Sequence, residues 1–266
     1  MTAADLVAEG RCWRDVAGEG PGVVLVHGTM DRSSSFGRIR KALSDLRVAR
    51  YDRRGYARSL VLGPPEGFHQ QVEDLVDVIG WMADGGPPPV VFGHSYGATV
   101  ALATAAEVPE RLAGVVAFEP PLPWMDWWPS GSAGAAAVAS ADDPEDAGER
   151  FMRRMVGDQR WERLPRRTRE ARRAEGPTLV AELAQLRPPN PPPFELTSIR
   201  VPVLAAHGTE GAPHHGESAR VVAERVPGAD LEVVAGSGHG VHLTHPAAVA
   251  TMVGRLVADL GLVPEG

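Results

Sequence analysis

Gly93-His94-Ser95-Tyr96-Gly97 restricts the possible folds of this chain more than any other segment. It has the form G-x-S-x-G. It follows directly on the apolar run Val90-Val91-Phe92 and leads into a stretch rich in small residues, Ala98, Ala101, Ala103, Ala105 and Ala106. A strand that turns this sharply into a helix forces the central serine into strained backbone angles, so both flanking positions need minimal side chains. The serine Oγ then projects above the strand end, beside the backbone N–H of Tyr96 at the helix N-terminus. A helix of small residues packs closely on a sheet. The segment therefore implies a buried strand, a tight turn and a covering helix.

The rest of the chain repeats this rhythm. Continuous apolar runs at residues 23–26, 114–118 and 201–206, and mainly apolar ones at 48–51 and 231–234, read as strands covered on both faces. Helical periods lie between them. Phe36, Ile39, Leu43 and Leu46 share one face, after Ser33 to Ser35 as N-cap candidates. Val72, Leu75, Val76, Ile79 and Met82 share another, and Val249, Met252, Val253, Leu256, Val257 and Leu260 a third, opened by Pro246. The alternation predicts an α/β protein with a mostly parallel sheet. Residues 120–198 break it. They hold 12 of the 24 prolines and four of the six tryptophans and contain no clear strand. Their aromatic and aliphatic content is too high for a disordered linker. They read as a helical cap, with Phe151, Met152, Met155, Trp161 and Leu164 on its buried side. The expected division is a core of residues 1–119 and 199–266 and a cap of residues 120–198.

Composition removes several classes of function. With 27 basic against 34 acidic residues the net charge is −7, which argues against a nucleic-acid partner held by its phosphates. Cys12 is the one cysteine, so an intramolecular disulfide and a cysteine-rich metal site are excluded. No apolar run approaches the roughly 18 residues of a membrane span, and the first ten residues carry Asp5 and Glu9 rather than a secretory pattern. A cytoplasmic location is expected. Lys41 is the only lysine, an arginine bias typical of a GC-rich bacterial genome that carries no functional weight.

A serine poised on such a turn suits acyl transfer, which also needs oxyanion donors and a general base. Each oxyanion donor is commonly worth about 3 kcal/mol. The backbone N–H of Tyr96 is one candidate. Thr29 supplies the second, in Val26-His27-Gly28-Thr29-Met30 after the first strong strand. The base is expected on a late loop. His239 in Gly236-Ser237-Gly238-His239-Gly240 fits, with His242 and His245 as competitors. Joint metal binding by these three is the poorer option, because no carboxylate lies among them and the spacing is not that of a helical pair.

His27-Gly28, the stretch from Asp52 to Ser59, Gly93 to Gly97 and Gly238-His239 together resemble the α/β-hydrolase fold superfamily over essentially the whole chain. The resemblance implies an eight-stranded, mostly parallel sheet and a helical cap inserted after the sixth strand. It implies a serine hydrolase with no metal or organic cofactor, a small-molecule acyl substrate, and a mainly structural role for Asp52-Arg53-Arg54-Gly55. Serine at the nucleophile position separates the chain from haloalkane dehalogenase and epoxide hydrolase relatives, which use Asp there. The acid departs from the commonest family pattern. The aligned position after the later strand is Gly211, with Glu210 beside it. A second family solution places a carboxylate after the sixth strand, and Glu119 stands there before Pro120-Pro121. Glu119 is the expected acid, against Glu210 and Asp230.

Met30, Leu122, Trp124, Trp127, Trp128 and His242 are expected near the substrate pocket by position. Carboxylic-ester hydrolysis is the expected reaction. A thioesterase or other acyl-transfer or C–C hydrolase is the alternative, and a carrier-bound thioester would favour a basic rim from Arg166-Arg167 and Arg172-Arg173. A non-catalytic ligand receptor is the reading from another class, suggested only by Gly211. Nothing in the sequence fixes the oligomeric state.

Overall fold

Valine-rich runs between glycine or proline breaks become the strands of one sheet. A computed structural model describes residues 3–188 and 190–262. Its strands are β1 (Arg14–Ala17), β2 (Gly22–Val26), β3 (Arg47–Tyr51), β4 (Val90–His94), β5 (Gly114–Phe118), β6 (Val203–Gly208) and β7 (Asp230–Val234). They lie in the order β1-β3-β2-β4-β5-β6-β7, with β1 antiparallel to β3 and every other pair parallel. The described sheet thus has seven strands, not eight, and the helical segment expected after the sixth strand follows the fifth. The segment ahead of β1 is a helix, α1 (Ala3–Ala8), so β1 is the edge of the sheet.

The remaining helices are α2 (Gly37–Ala42), α3 (Phe68–Ala83), α4 (Tyr96–Glu107), α5 (Ala133–Ala139), α6 (Pro144–Val156), α7 (Asp158–Arg163), α8 (Arg166–Arg173), α9 (Gly176–Gln185), α10 (Pro213–Arg225), α11 (Val241–Thr244) and α12 (Pro246–Asp259). Successive residues of β2 enter opposite cores. Val24 and Val26 face α3, α4 and α10, whereas Val23 and Leu25 face α2 and α12. Strands buried on both faces cannot alternate with polar residues, which is why their runs are continuous. β7 departs from this: Leu231 and Val233 are 41% and 50% exposed, because β7 is the opposite edge. Ser33 to Ser35 do not cap α2. They form a 3₁₀ turn, and the backbone N–H of Ser33 donates to Asp52 Oδ1 at 2.9 Å. No helix among the described residues is long and apolar enough to cross a membrane.

Between β5 and β6 the described chain contains five helices, α5 to α9, and no strand. Two buried glutamates of this segment reach into the rest of the molecule. Glu182 on α9 takes the guanidinium of Arg53, Thr29 Oγ1 at 2.8 Å, Tyr56 Oη at 2.8 Å and Gln71 Nε2 at 3.1 Å. Glu175 takes Arg32 at 2.9 Å, Arg172 at 3.0 Å and the backbone N–H of Ala57 at 3.0 Å. Trp161, Met152 and Leu179 add an apolar contact with Met30 and Tyr56. Met155, expected on the buried side, is instead 46% exposed.

Candidate active site

Ser95 lies between β4 and α4 with φ 53° and ψ −127°. The left-handed φ is costly for a side-chain-bearing residue and is held by its surroundings. The adjacent glycines are dictated by backbone. A Cβ at Gly93 would stand 2.4 Å from Ala98 Cα, and one at Gly97 would stand 2.4 Å from Val26 O. The N–H of Ser95 donates to Phe118 O at 2.9 Å, and the N–H of Glu119 donates to Ala206 O at 2.9 Å. His94 pairs with Phe118 in register. Ser95 and Glu119 therefore leave neighbouring strands at the same level, Glu119 also with a left-handed φ of 48°. His239 arrives from the loop after β7.

These three side chains meet. His239 Nε2 lies 3.0 Å from Ser95 Oγ, and His239 Nδ1 lies 2.5 Å from Glu119 Oε2. An ionised carboxylate only accepts, so Nδ1 carries the imidazole proton and Nε2 presents its lone pair to the serine hydroxyl. Glu119 Oε1 accepts the N–H of Gly208 at 2.9 Å. Burial opposes the charge on Glu119, but the adjacent imidazoles of His215 and His239, the second hydrogen-bonded to it, hold its carboxyl well below the usual range. Burial also lowers the pKa of His239, partly countered by its hydrogen bond to Glu119. The resting pair is a carboxylate and a neutral imidazole, the state a general base requires.

A Cβ built at Gly211 would stand 3.1 Å from Glu119 Oε1. The carboxylate of Glu119 fills the space into which a side chain at 211 would project. Glu210 lies exposed at the rim of the cavity, its backbone N–H donating to Ser237 O at 2.8 Å. Asp230 is at the start of the edge strand β7.

A cavity of about 560 Å³ opens over Ser95 and His239. Thr29, Tyr96 and Trp128 line it, as do Phe151 and Met155 of α6 and Leu183 of α9. Tyr96 opens α4, so its N–H is a first-turn donor with no intrahelical acceptor. The other expected pocket residues lie elsewhere. Leu122 is fully buried in the core under α4. Trp124 packs edge-on against Phe194, and Trp127 packs against Trp128 behind the cavity wall. Met30 is turned by its φ of 56° into the contact with Tyr56 and Trp161. His242 is buried between Phe36 and His94. A wider depression of about 890 Å³ between α2 and α12 has no serine–histidine pair and lies away from this chemistry.

Three contributors escaped the sequence reading. His215 Nδ1 stands 3.1 Å from Glu119 Oε2, with its ring stacked on His239 at 4.2 Å. His214 beside it is pushed down to about 4 by burial and by the two neighbouring imidazoles. The doublet follows Pro213 at the start of α10, and the helix-opening proline was the available signal. Glu182 is a lone carboxylate among Leu179, Val180 and Leu183, a charge on an apolar helix face. His27, by contrast, supports the loop from below. Its Nδ1–H donates to Gly28 O at 2.8 Å, its Nε2 accepts the N–H of Arg53 at 2.9 Å, and burial lowers its pKa to about 3.

The chain belongs to the alpha/beta hydrolase family, whose model matches residues 23–252. Over 102 residues it is 32% identical to Lipase LipV of Mycobacterium tuberculosis, covering 38% of each protein. Over 107 residues it is 36% identical to Epoxide hydrolase B of the same organism, covering 39% of this chain and 30% of that protein. The matched stretch thus spans well under half the length of these curated relatives. Among solved structures, a thermophilic esterase from Thermogutta terrifontis superposes with a TM-score of 0.73 at 20% identity, covering 94% of this chain and 93% of that one. The enol-lactonase from Burkholderia xenovorans gives 0.70 at 20% identity, covering 93% and 96%. At these identities the structural likeness speaks for the fold.

Proposed function

We propose that this chain is a serine hydrolase that cleaves carboxylic esters of small molecules through Ser95, His239 and Glu119. The observation that carries the reading is the unbroken chain from Ser95 Oγ to His239 Nε2 and from His239 Nδ1 to Glu119 Oε2 at the floor of the cavity. In this mechanism Ser95 Oγ attacks the ester carbonyl while His239 Nε2 takes the hydroxyl proton. The backbone N–H groups of Thr29 and Tyr96 receive the oxyanion. Glu119 holds the imidazole tautomer and stabilises the imidazolium. His239 then gives its proton to the departing alkoxide, leaving an acyl-Ser95, and activates water to release the acid and restore the serine. All of these steps use side chains and backbone of this chain.

Two features bear on the choice among neighbouring chemistries. Serine rather than Asp stands at the nucleophile position, which separates the chain from the epoxide hydrolase it partly matches. Three of the four arginines expected to form a rim for a carrier-bound thioester are engaged, Arg166 with Glu170, Arg172 with Glu175 and Arg173 with Glu149, while Arg167 is exposed. The cavity, walled by Trp128, Phe151 and Leu183, suits an acyl or aryl group of modest size. A panel of p-nitrophenyl esters of increasing chain length tests the reading. Wild type is expected to show a burst of p-nitrophenol and Ser95→Ala none; turnover that survives Ser95→Ala removes the proposal.

A further inference from the structure

Directly behind the proposed catalytic groups lies a second constellation that the reaction does not use. Asp31 follows two residues after Thr29, His94 immediately precedes Ser95, and His242 follows three residues after His239. Each therefore comes from one of the three segments that carry the oxyanion donor, the nucleophile and the base. One ligand-capable atom from each lies within 4.8 Å of the others. His242 Nε2 and Asp31 Oδ2 are 3.2 Å apart. Two donors on a tetrahedral ion with bonds of about 2.0–2.1 Å are separated by about 3.3 Å.

One imidazole has an unused lone-pair position and the other already turns Nε2 to the carboxylate. His94 and His242 are 5% and 4% exposed, and Nδ1 of His94 is buried without a hydrogen-bond partner. For His94 the tautomer follows from its neighbour. Nε2–H donates to the backbone carbonyl of His239 at 2.6 Å, so Nδ1 bears the lone pair. That arrangement, one ring nitrogen anchored on a carbonyl and the other free, is the usual setting of a metal-binding histidine. Burial lowers the pKa of His94 well below its ordinary value, so it stays neutral. Gly28 leaves room: a Cβ there would stand 3.1 Å from His94 Nδ1. Asp31 contributes the negative charge and is oriented by the hydroxyl of Ser35, which donates to Oδ2 at 3.0 Å.

We propose that Asp31, His94 and His242 form a binding site for one divalent transition-metal ion of the Zn²⁺ or Co²⁺ type, which clasps the three active-site segments from behind. Two imidazoles and one carboxylate are a donor set suited to such ions, with a water completing the tetrahedron. The site is separate from Glu119, His215 and His239, whose polar atoms also cluster but whose central imidazole is engaged by Ser95 and Glu119 at once. The ligand set leaves out His239 Nε2 and Ser95 Oγ, which pair with each other. The ion therefore stabilises the folded chain by mass action without blocking it.

The test uses purified full-length chain stripped with a chelator and titrated with Co²⁺, read by visible absorption, calorimetric stoichiometry and melting temperature. Wild type is expected to take one equivalent with a tetrahedral absorption band and to gain about 5 °C in Tm at saturation. Asp31→Asn and His242→Gln are each expected to weaken binding more than about 100-fold, whereas His215→Gln binds as wild type does. Two independent ligand variants keep the test decisive if one fails to fold, which circular dichroism reports. Absence of binding below about 1 mM Co²⁺ would overturn the proposal, as that is far weaker than built sites of this type. So would binding that persists in both ligand variants, or that disappears only in His215→Gln.

Discussion

Glu119 and Glu182 are both completely buried carboxylates, yet they differ in what they face. Glu119, at the end of β5, meets two imidazoles, His239 at 2.5 Å and His215 at 3.1 Å. Glu182, on α9, meets the permanent cation of Arg53 together with Thr29, Tyr56 and Gln71. A guanidinium does not give up its proton, so the charge opposite Glu182 is fixed and the network can only hold. An imidazole changes charge within the physiological range, so the charge opposite Glu119 can appear and vanish during a reaction. Burial alone does not separate a working carboxylate from a structural one. The partner does. Glu182 still touches function indirectly, because Thr29, the proposed oxyanion residue, hangs from it by its hydroxyl.

The two carboxylates should respond differently to the same chemical change. Glu119→Gln is expected to lower kcat of ester hydrolysis by about 10⁴-fold while the fold persists, because the tautomer and the imidazolium lose their support. Equal activity in the variant would break the distinction. Glu182→Gln should act mainly on stability. It leaves Arg53 buried without its counter-charge, at a cost of about 3–5 kcal/mol, and a fall in Tm of roughly 10 °C measured by calorimetry is expected. An unchanged Tm would show that α9 is held by the apolar contact around Trp161 and Leu179 instead.

The pH dependence sharpens the comparison. The proposed mechanism needs His239 as a neutral base, and its pKa is lowered from the ordinary 6.5, so kcat/KM should stay level through pH 6.5 and fall only in more acidic solution. The carboxylate of Glu119 raises the pKa of His239, so in Glu119→Gln the residual acid limb should move to lower pH. A limb above pH 7 contradicts this. Stability follows the same sign. The contribution of ionised Glu119 is fully present above the unfolded carboxyl value near 4.5 and is lost as pH falls through its depressed folded pKa. Neutral His27 behaves likewise, its contribution fading from about pH 6.5 toward about 3. The smallest effect is expected for Glu210→Gln, whose exposed side chain should cost less than about threefold in kcat/KM, as surface changes usually do.

The strands β2 to β6 and the turn at Ser95 were legible because parallel strands need continuous apolar runs and because backbone contacts at Gly93 and Gly97 admit no other residue. β1 was not. No apolar run marks Arg14 and Asp15, and only the structure reveals Arg14 buried against Asp77 at 2.7 Å. The pocket was the least legible part. Met30 and Glu119 take left-handed φ values without being glycine, and the chain direction after such a residue does not follow from periodicity. Leu122, Trp124 and Trp127 therefore landed away from the cavity although they follow the acid closely. Glu119 was legible as a charge ending a buried strand, whereas the identity of its partners required three loops to be placed in space.

The most direct test of the proposed catalytic centre is covalent labelling of the intact chain with a fluorophosphonate, followed by peptide mass spectrometry. The account predicts a single adduct on Ser95, formed rapidly in wild type, slowed by orders of magnitude in Glu119→Gln and absent in Ser95→Ala. No adduct in wild type, or one that forms at the same rate in Ser95→Ala, would contradict it.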